Sequence, residues 1–226
     1  MRCDGSVNLG LMRKPLEAKS RLAVMLASVL MACGGASADS AGTTDAGGAG
    51  GGTGVDAATP WVCGEDPALI DLEMLEDEGH AHVPPGTQVD HGHNPPASGP
   101  HYGAWAASGV YDRAVDPRSY VHNLEHGWLV LLHRPDAARA EIDALEAFWR
   151  QPPADPHCPD ADAPRVLVSP APDLPTPVAA LTWTRVLAAE SLSRDALAAF
   201  FRDCRAQAPE IRVCADGREP AFLEGE

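Results

Sequence analysis

Apolar positions come in short, separated groups along most of this chain, and their spacing predicts its elements. Trp128 to His133 is a run of large apolar residues after Gly127, the pattern of a buried strand. Asp136 to Arg150 places Ile142, Leu145 and Trp149 on one helical face, with Asp136 in N-cap position after Pro135. Arg165 to Ser169 and Val178 to Trp183 read as two further strands, joined by a proline-rich turn. Ser193 can cap a last helix whose inner stripe is Leu197, Phe200 or Phe201, and Cys204. Upstream, Glu65 to Glu78 predicts a short amphipathic helix with two competing stripes, Leu69, Leu72 and Leu75 or Ile70 and Met74, ended by Gly79. His80 to Tyr102 contains Pro84, Pro85, Pro95, Pro96 and Pro100 with several glycines, so an ordered, extended loop is expected there.

The resulting order is strand, helix, strand, strand, helix. It predicts a compact α+β domain with a small mixed β-sheet packed by helices and preceded by the long Pro/His-rich loop. The helical crossover makes the first two strands parallel, and the next two can pair antiparallel. The same order occurs in the second half of thioredoxin-like folds, but their redox dipeptide segment is missing here, so the similarity is one of order alone.

The two ends of the pattern speak to location. Arg13, Lys14, Lys19 and Arg21 form a basic leader before Leu22 to Met31, an unbroken apolar or small stretch. That stretch is about ten residues, half of what a bilayer span needs, and reads as the core of a secretory signal. Leu30-Met31-Ala32-Cys33 resembles a lipoprotein processing box that would leave Cys33 as a lipidated N-terminus; an ordinary cleaved signal is the alternative. Gly34 rather than Asp follows, which in a Gram-negative cell resembles sorting to the outer membrane. Residues 34–60 are almost entirely small or polar and cannot offset their own ordering entropy, so a flexible tether is expected. The expected organisation is a signal over residues 1–32, lipidated cysteine and linker over 33–60, and one globular domain over 61–226.

Composition narrows the function classes. From Cys33 onward the chain has 30 acidic residues against 12 arginines and no lysine, a formal charge of 12 − 30 = −18. Such a surface repels phosphate backbones and anionic headgroups, which argues against nucleic-acid binding and leaves a lipid anchor as the expected link to a membrane. Cys63, Cys158, Cys204 and Cys214 remain for two disulfides in an oxidising compartment, with three pairings open. Cys204 with Cys214 is weakly favoured, because a last helix followed by a short strand can bring them together; Cys63 with Cys158 follows. No C-x-x-C spacing supports a redox pair or a zinc ribbon.

Eight of the nine histidines lie between His80 and His133. If Val121 to Glu125 is helical, His122 and His126 stand one turn apart with Glu125 beside them, the way two imidazoles come to grip one ion. His80 with His82, and His91 with His93, are alternate-residue pairs, and His101 follows a Ser-Gly-Pro turn that would present it at fixed geometry. The expectation is one divalent transition-metal site built by His101, His122 and His126, with Glu125 as ligand or as an acceptor orienting an imidazole, and His82 as the next ligand. With thiols tied up in disulfides, nitrogen and oxygen donors suit zinc or copper(II) better than copper(I). Each histidine taken alone is better explained by a hydrogen bond or by solvation, so a purely structural or partner-binding module is the competing expectation; no motif names a protein partner.

His82-Val83, Pro95-Pro96-Ala97-Ser98-Gly99-Pro100-His101-Tyr102, Gly109-Val110-Tyr111 and His122-Asn123-Leu124-Glu125-His126-Gly127 together resemble the bacterial family known as domain of unknown function 3105. The resemblance runs roughly from Val83 to Glu210, through Arg165 to Pro170, Ala180 to Arg185 and a last helix. It implies a fold family and no activity. His122-x-x-Glu125-His126 also matches the letter of the inverted zinc-peptidase motif, where the glutamate activates water. Only five positions carry that match, and Gly127 with the strand after it leaves little room for the long helix such peptidases use. Gly-x-Ser-x-Gly is absent, so Ser98 is no nucleophile elbow, and the Gly48 to Gly54 run opens no strand-helix unit for phosphate.

Overall fold

A computed structural model describes residues 62–223. The expected signal, Cys33 and the tether lie outside the described residues. The order of elements is β1 (Leu72–Met74), β2 (His82–Val83), β3 (His101–Tyr102), β4 (Gly109–Val110), α1 (Pro117–Glu125), β5 (Leu129–His133), α2 (Arg139–Arg150), β6 (Val166–Pro170), β7 (Val178–Thr182), β8 (Arg185–Ala189) and α3 (Arg194–Asp203). Six strands form one mixed sheet in the order β1-β8-β7-β5-β6-β4, and β2 and β3 form a separate two-stranded ribbon. The expected α+β class holds.

β5 is the central strand, and all five of its residues are buried. A strand alternates its side chains between faces, so β5 feeds two cores. Leu129 and Leu131 join Leu145 and Phe148 of α2 and Leu197, Phe200 and Phe201 of α3. Val130 and Leu132 join Tyr120, Val121 and Leu124 of α1 with Ala97 and Ala106 of the loops. The sheet is thus sandwiched between α2 and α3 on one face and α1 with the proline-rich loop on the other.

β5 and β6 are parallel, as the α2 crossover requires. The expected pairing of the next two strands is corrected. β6 and β7 do not pair; β7 runs antiparallel to β5 on its other side, so β5 lies between them. β7 instead turns into β8, which the hydrophobic pattern did not separate, through a tight connection in which Thr184 takes φ +57. Neither Trp183 nor Thr184 is an ordinary turn residue, so no Gly or Asn flagged the hairpin.

Two further expectations are corrected. Glu65 to Glu78 is not a helix: it holds one 3-10 turn, Pro67–Leu69, and then β1, which pairs with β8 at Leu72↔Leu187. Two competing stripes gave neither helical face a decisive advantage, and the open backbone edge of β8 offered hydrogen bonds that a lone helix could not match. α2 begins at Arg139 rather than near Asp136, whose carboxylate accepts from Arg134 Nε at 2.9 Å instead of capping. Ser193 does cap α3, accepting from the Ala196 N–H at 3.1 Å.

The disulfides join Cys63 to Cys204 and Cys158 to Cys214, not Cys204 to Cys214. Cys204 faces the core beneath α3, where Cys63 packs. The chain then leaves through the 3-10 turn Arg205–Gln207 and runs back toward Cys158, carrying Cys214 away from Cys204. Among the described residues no helix is long and apolar enough to cross a membrane.

Candidate metal centre

α1 is built to deliver its last turn to a fixed place. Asp116 accepts from the Arg118 N–H, Pro117 occupies the first helical position, and both are ordinary helix starters. At the far end the Gly127 N–H bonds the Leu124 carbonyl and the Trp128 N–H bonds the Asn123 carbonyl, a Schellman stop. Gly127 takes φ +76, and a Cβ there would lie 2.1 Å from Ile211 Cδ1, so a glycine serves both the turn and the close approach of the C-terminal loop. Asn123 fixes the neighbouring loop by exchanging two hydrogen bonds with the backbone of Ala106.

His122, Glu125 and His126 therefore share one face, and β3 packs against it. In the β2/β3 ribbon His82 is the register partner of His101, which sets these two rings side by side. His101 Nε2 lies 3.0 Å, His82 Nε2 3.6 Å and His122 Nε2 3.8 Å from Glu125 Oε2. The donor atoms of these four residues all fall within 4.8 Å of one another. His126 falls into an adjoining set with Glu125 and Glu210, its Nε2 3.2 Å from Glu210 Oε2 and 3.1 Å from His122 Nε2. His80, outside both sets, places Nδ1 2.9 Å from Glu125 Oε1.

Hydrogen bonding fixes how the rings can be used. The Nδ1–H of His101 donates to the Gly99 carbonyl at 2.8 Å, and the Nδ1–H of His122 donates to the Tyr102 carbonyl at 2.6 Å. With Nδ1 carrying the proton, each neutral ring turns its Nε2 lone pair toward Glu125. Two electron-rich atoms 3.0 Å apart, His101 Nε2 and Glu125 Oε2, need a positive species at or between them. A proton or a metal ion meets that need.

The floor of the cluster is buried: His101, His122, Glu125 and His126 are each at least 97% covered. His80, His82 and Glu210 form its solvent edge, with side chains 61%, 54% and 53% exposed. Trp105 walls the floor, its ring 5.1 Å from that of His122 and 4.5 Å from that of His126. Burial would push the Glu125 carboxyl up, but hydrogen bonds from His101 and His80 and the charges of His101 and His122 hold it down at about 2. Burial lowers His122, against the pull of the Tyr102 carbonyl. Burial and then His122 lower His126 to about 4. Near neutral pH an ionised Glu125 carboxylate thus stands beside neutral His122 and His126 imidazoles.

The other histidines go elsewhere. His91 Nε2 meets the Pro100 carbonyl at 3.2 Å, His93 sits 3.5 Å from Glu78, and His133 Nδ1 meets the Arg134 carbonyl. Ser98 accepts from the Glu78 N–H and so knits the loop. Glu210 and Arg165 are the participants that the sequence did not announce. Arg165 binds the carbonyls of both His126 and Ile211 through Nη1, and the Glu210 N–H donates to the Glu125 carbonyl at 2.9 Å. No local spacing ties a lone Glu or Arg in distant segments to a helix end, so only the fold assembles them.

The residues that build this cluster, from His82 through the Ser-Gly-Pro-His turn and α1 to Glu210, fall inside residues 82–217, which match the sequence profile of a family described as Protein of unknown function (DUF3105). The chain belongs to this family. The match spans β2 to the C-terminal loop, so both groups of candidate ligands lie within it. No curated protein and no solved structure matches the chain.

Proposed function

We propose that this DUF3105 domain binds a divalent transition metal, zinc or copper(II), through His82, His101, His122 and Glu125. The observation that carries this reading is the pair of Nδ1–H anchors on Gly99 and Tyr102, which leave two Nε2 lone pairs aimed at one carboxylate oxygen. Metal-binding histidines characteristically donate their other N–H to such an acceptor. For bonds of about 2.0 to 2.1 Å a tetrahedral centre has ligand edges of about 3.3 to 3.4 Å, and the separations of 3.0, 3.6 and 3.8 Å bracket that value. Three nitrogens and one oxygen suit zinc and copper(II). His82 at the solvent edge gives the ion a route in.

The two disulfides and the leader with Cys33 support placing this activity outside the cytoplasm, on a lipid-anchored chain. The hydrolase reading has less support. Its water-activating carboxylate would be Glu125, which is 2% exposed and already engaged by His80 and His101. A structural reading rests on the same contacts: a doubly protonated His101 would satisfy both Gly99 and Glu125 without any metal.

Calorimetric titration of zinc and of copper(II) into wild type and His82→Ala separates these. His82 is half-exposed, so its removal leaves the core intact, and loss of a ligand should weaken the tightest site by at least about tenfold. Absence of any stoichiometric uptake by wild type, or equal affinity in the variant, would leave the structural reading.

A further inference from the structure

His126 is the buried group that a single four-ligand site does not use. Its Nε2 lies between His122 Nε2 and Glu210 Oε2, at 3.1 and 3.2 Å. Its Nδ1 is buried with no hydrogen-bond partner. An ion on Nε2 would leave Nδ1 as a buried N–H still without a partner, so the case for a ligand rests on Nε2 and its two neighbours. If a metal takes the His122 lone pair, the His122–His126 hydrogen bond can no longer form, and Nε2 of His126 is left with Glu210 and Glu125.

Glu210 is held in place despite being half-exposed. Its N–H donates to the Glu125 carbonyl at 2.9 Å, and Arg165 clamps the next residue, Ile211, to the His126 carbonyl. Cys158–Cys214 ties the same loop down a few residues on. Gly127 allows the loop to approach where any Cβ would collide with Ile211. These links fix the backbone that carries Glu210 beside His126.

We infer that His126 and Glu210, with Glu125 as the shared carboxylate, form a second divalent-cation position beside the first, making a two-metal centre. The inference rests on the metal reading of the His82, His101, His122 and Glu125 set. A carboxylate common to both sets can bridge two cations once His80 gives up its contact with Oε1, and paired sites of this type hold their ions about 3.5 to 4 Å apart. The second position is the weaker of the two. It has three protein ligands rather than four, its histidine lacks the carbonyl anchor that fixes the first pair, and Glu210 faces solvent. Its remaining coordination positions fall to water or a small anionic ligand.

Zinc titration of the full domain, wild type beside Glu210→Ala, tests this. Wild type should take up two equivalents, the second at least tenfold weaker, and Glu210→Ala should keep the first unchanged and lose the second. Copper(II) loading gives a second readout: wild type with two equivalents should show a spin-coupled paramagnetic resonance spectrum, and Glu210→Ala the spectrum of an isolated ion. One equivalent in wild type, a second that survives Glu210→Ala, or two uncoupled copper ions would overturn the inference while leaving the first site standing. No equivalent in wild type would overturn both.

Discussion

Asp155 stands between two arginines that are each 1% exposed, receiving Arg165 Nε at 2.8 Å and both terminal nitrogens of Arg205 at 2.5 and 3.0 Å. Arg205 also lies over the Phe201 ring at 3.7 Å. Removing the only negative member of such a buried group strands two cations, a change that typically costs about 3 to 5 kcal/mol. Asp155→Asn should therefore lower the denaturant midpoint clearly. Burial would raise the Asp155 carboxyl, but hydrogen bonds and charge from Arg205 and Arg165 hold it well below its ordinary value of 3.8. A carboxyl depressed in the folded state stabilises above its unfolded value, and that contribution fades as pH falls below about 3.8. Wild type should accordingly lose more stability than Asp155→Asn between about pH 6 and about pH 3, as measured by urea unfolding. Equal losses would mean that the triad is not the acid-sensitive element. At this scale the sequence disclosed what local spacing encodes, namely His122, Glu125 and His126 on one helical face. It hid Asp155, Arg165, Arg205 and Glu210, because each is a single residue whose partner arrives from a distant segment.

Elements were legible where one strong signal stood alone. β5 is a short continuous apolar run and α3 has a Ser cap, and each agrees with its local pattern, whereas α1 stands only as a condition on Val121 to Glu125 and is missing from the expected order of elements. Residues 65–78 misled because a weak helical pattern competed with an unpaired sheet edge, and hydrogen bonds to β8 decided the outcome. The same long-range logic overturned the disulfide pairing. Each observed bridge closes a long loop, 141 residues for Cys63–Cys204 and 56 for Cys158–Cys214. Removing a native bridge from a small secreted domain typically costs about 2 to 5 kcal/mol. Cys158→Ala/Cys214→Ala should lower the melting temperature accordingly, and it should loosen the loop that presents Glu210 to His126. Non-reducing peptide mapping of wild type should recover a fragment containing Cys63 joined to Cys204, and another joining Cys158 to Cys214. A Cys204–Cys214 fragment would contradict the arrangement of the C-terminal loop.

On the scale of the whole chain, the proposed anchor and the proposed metal centre are separable. Residues 34–60 number 27 and lie outside the described part, and if they act as a flexible Gly/Ala/Ser/Thr linker they reach about 25 to 30 Å. From Cys33 onward the chain carries a formal charge of −18, which repels anionic headgroups over about a Debye length of 8 Å at physiological salt. With such a linker behind the proposed lipidated Cys33, repulsion and tether together would hold the domain near a membrane surface without resting on it. The candidate metal ligands, all between His82 and Glu210, are remote in sequence from Cys33, and neither set draws a ligand from the anchor or the linker. Cys33→Ala should consequently move the protein from the membrane fraction to the soluble fraction, with the lipid mass absent from the intact chain and zinc affinity within about twofold of wild type. Wild type that fractionates as a soluble, unlipidated protein would refute the anchor. A released variant with lost zinc binding would refute the independence of the two, and would place the membrane itself in the centre's surroundings.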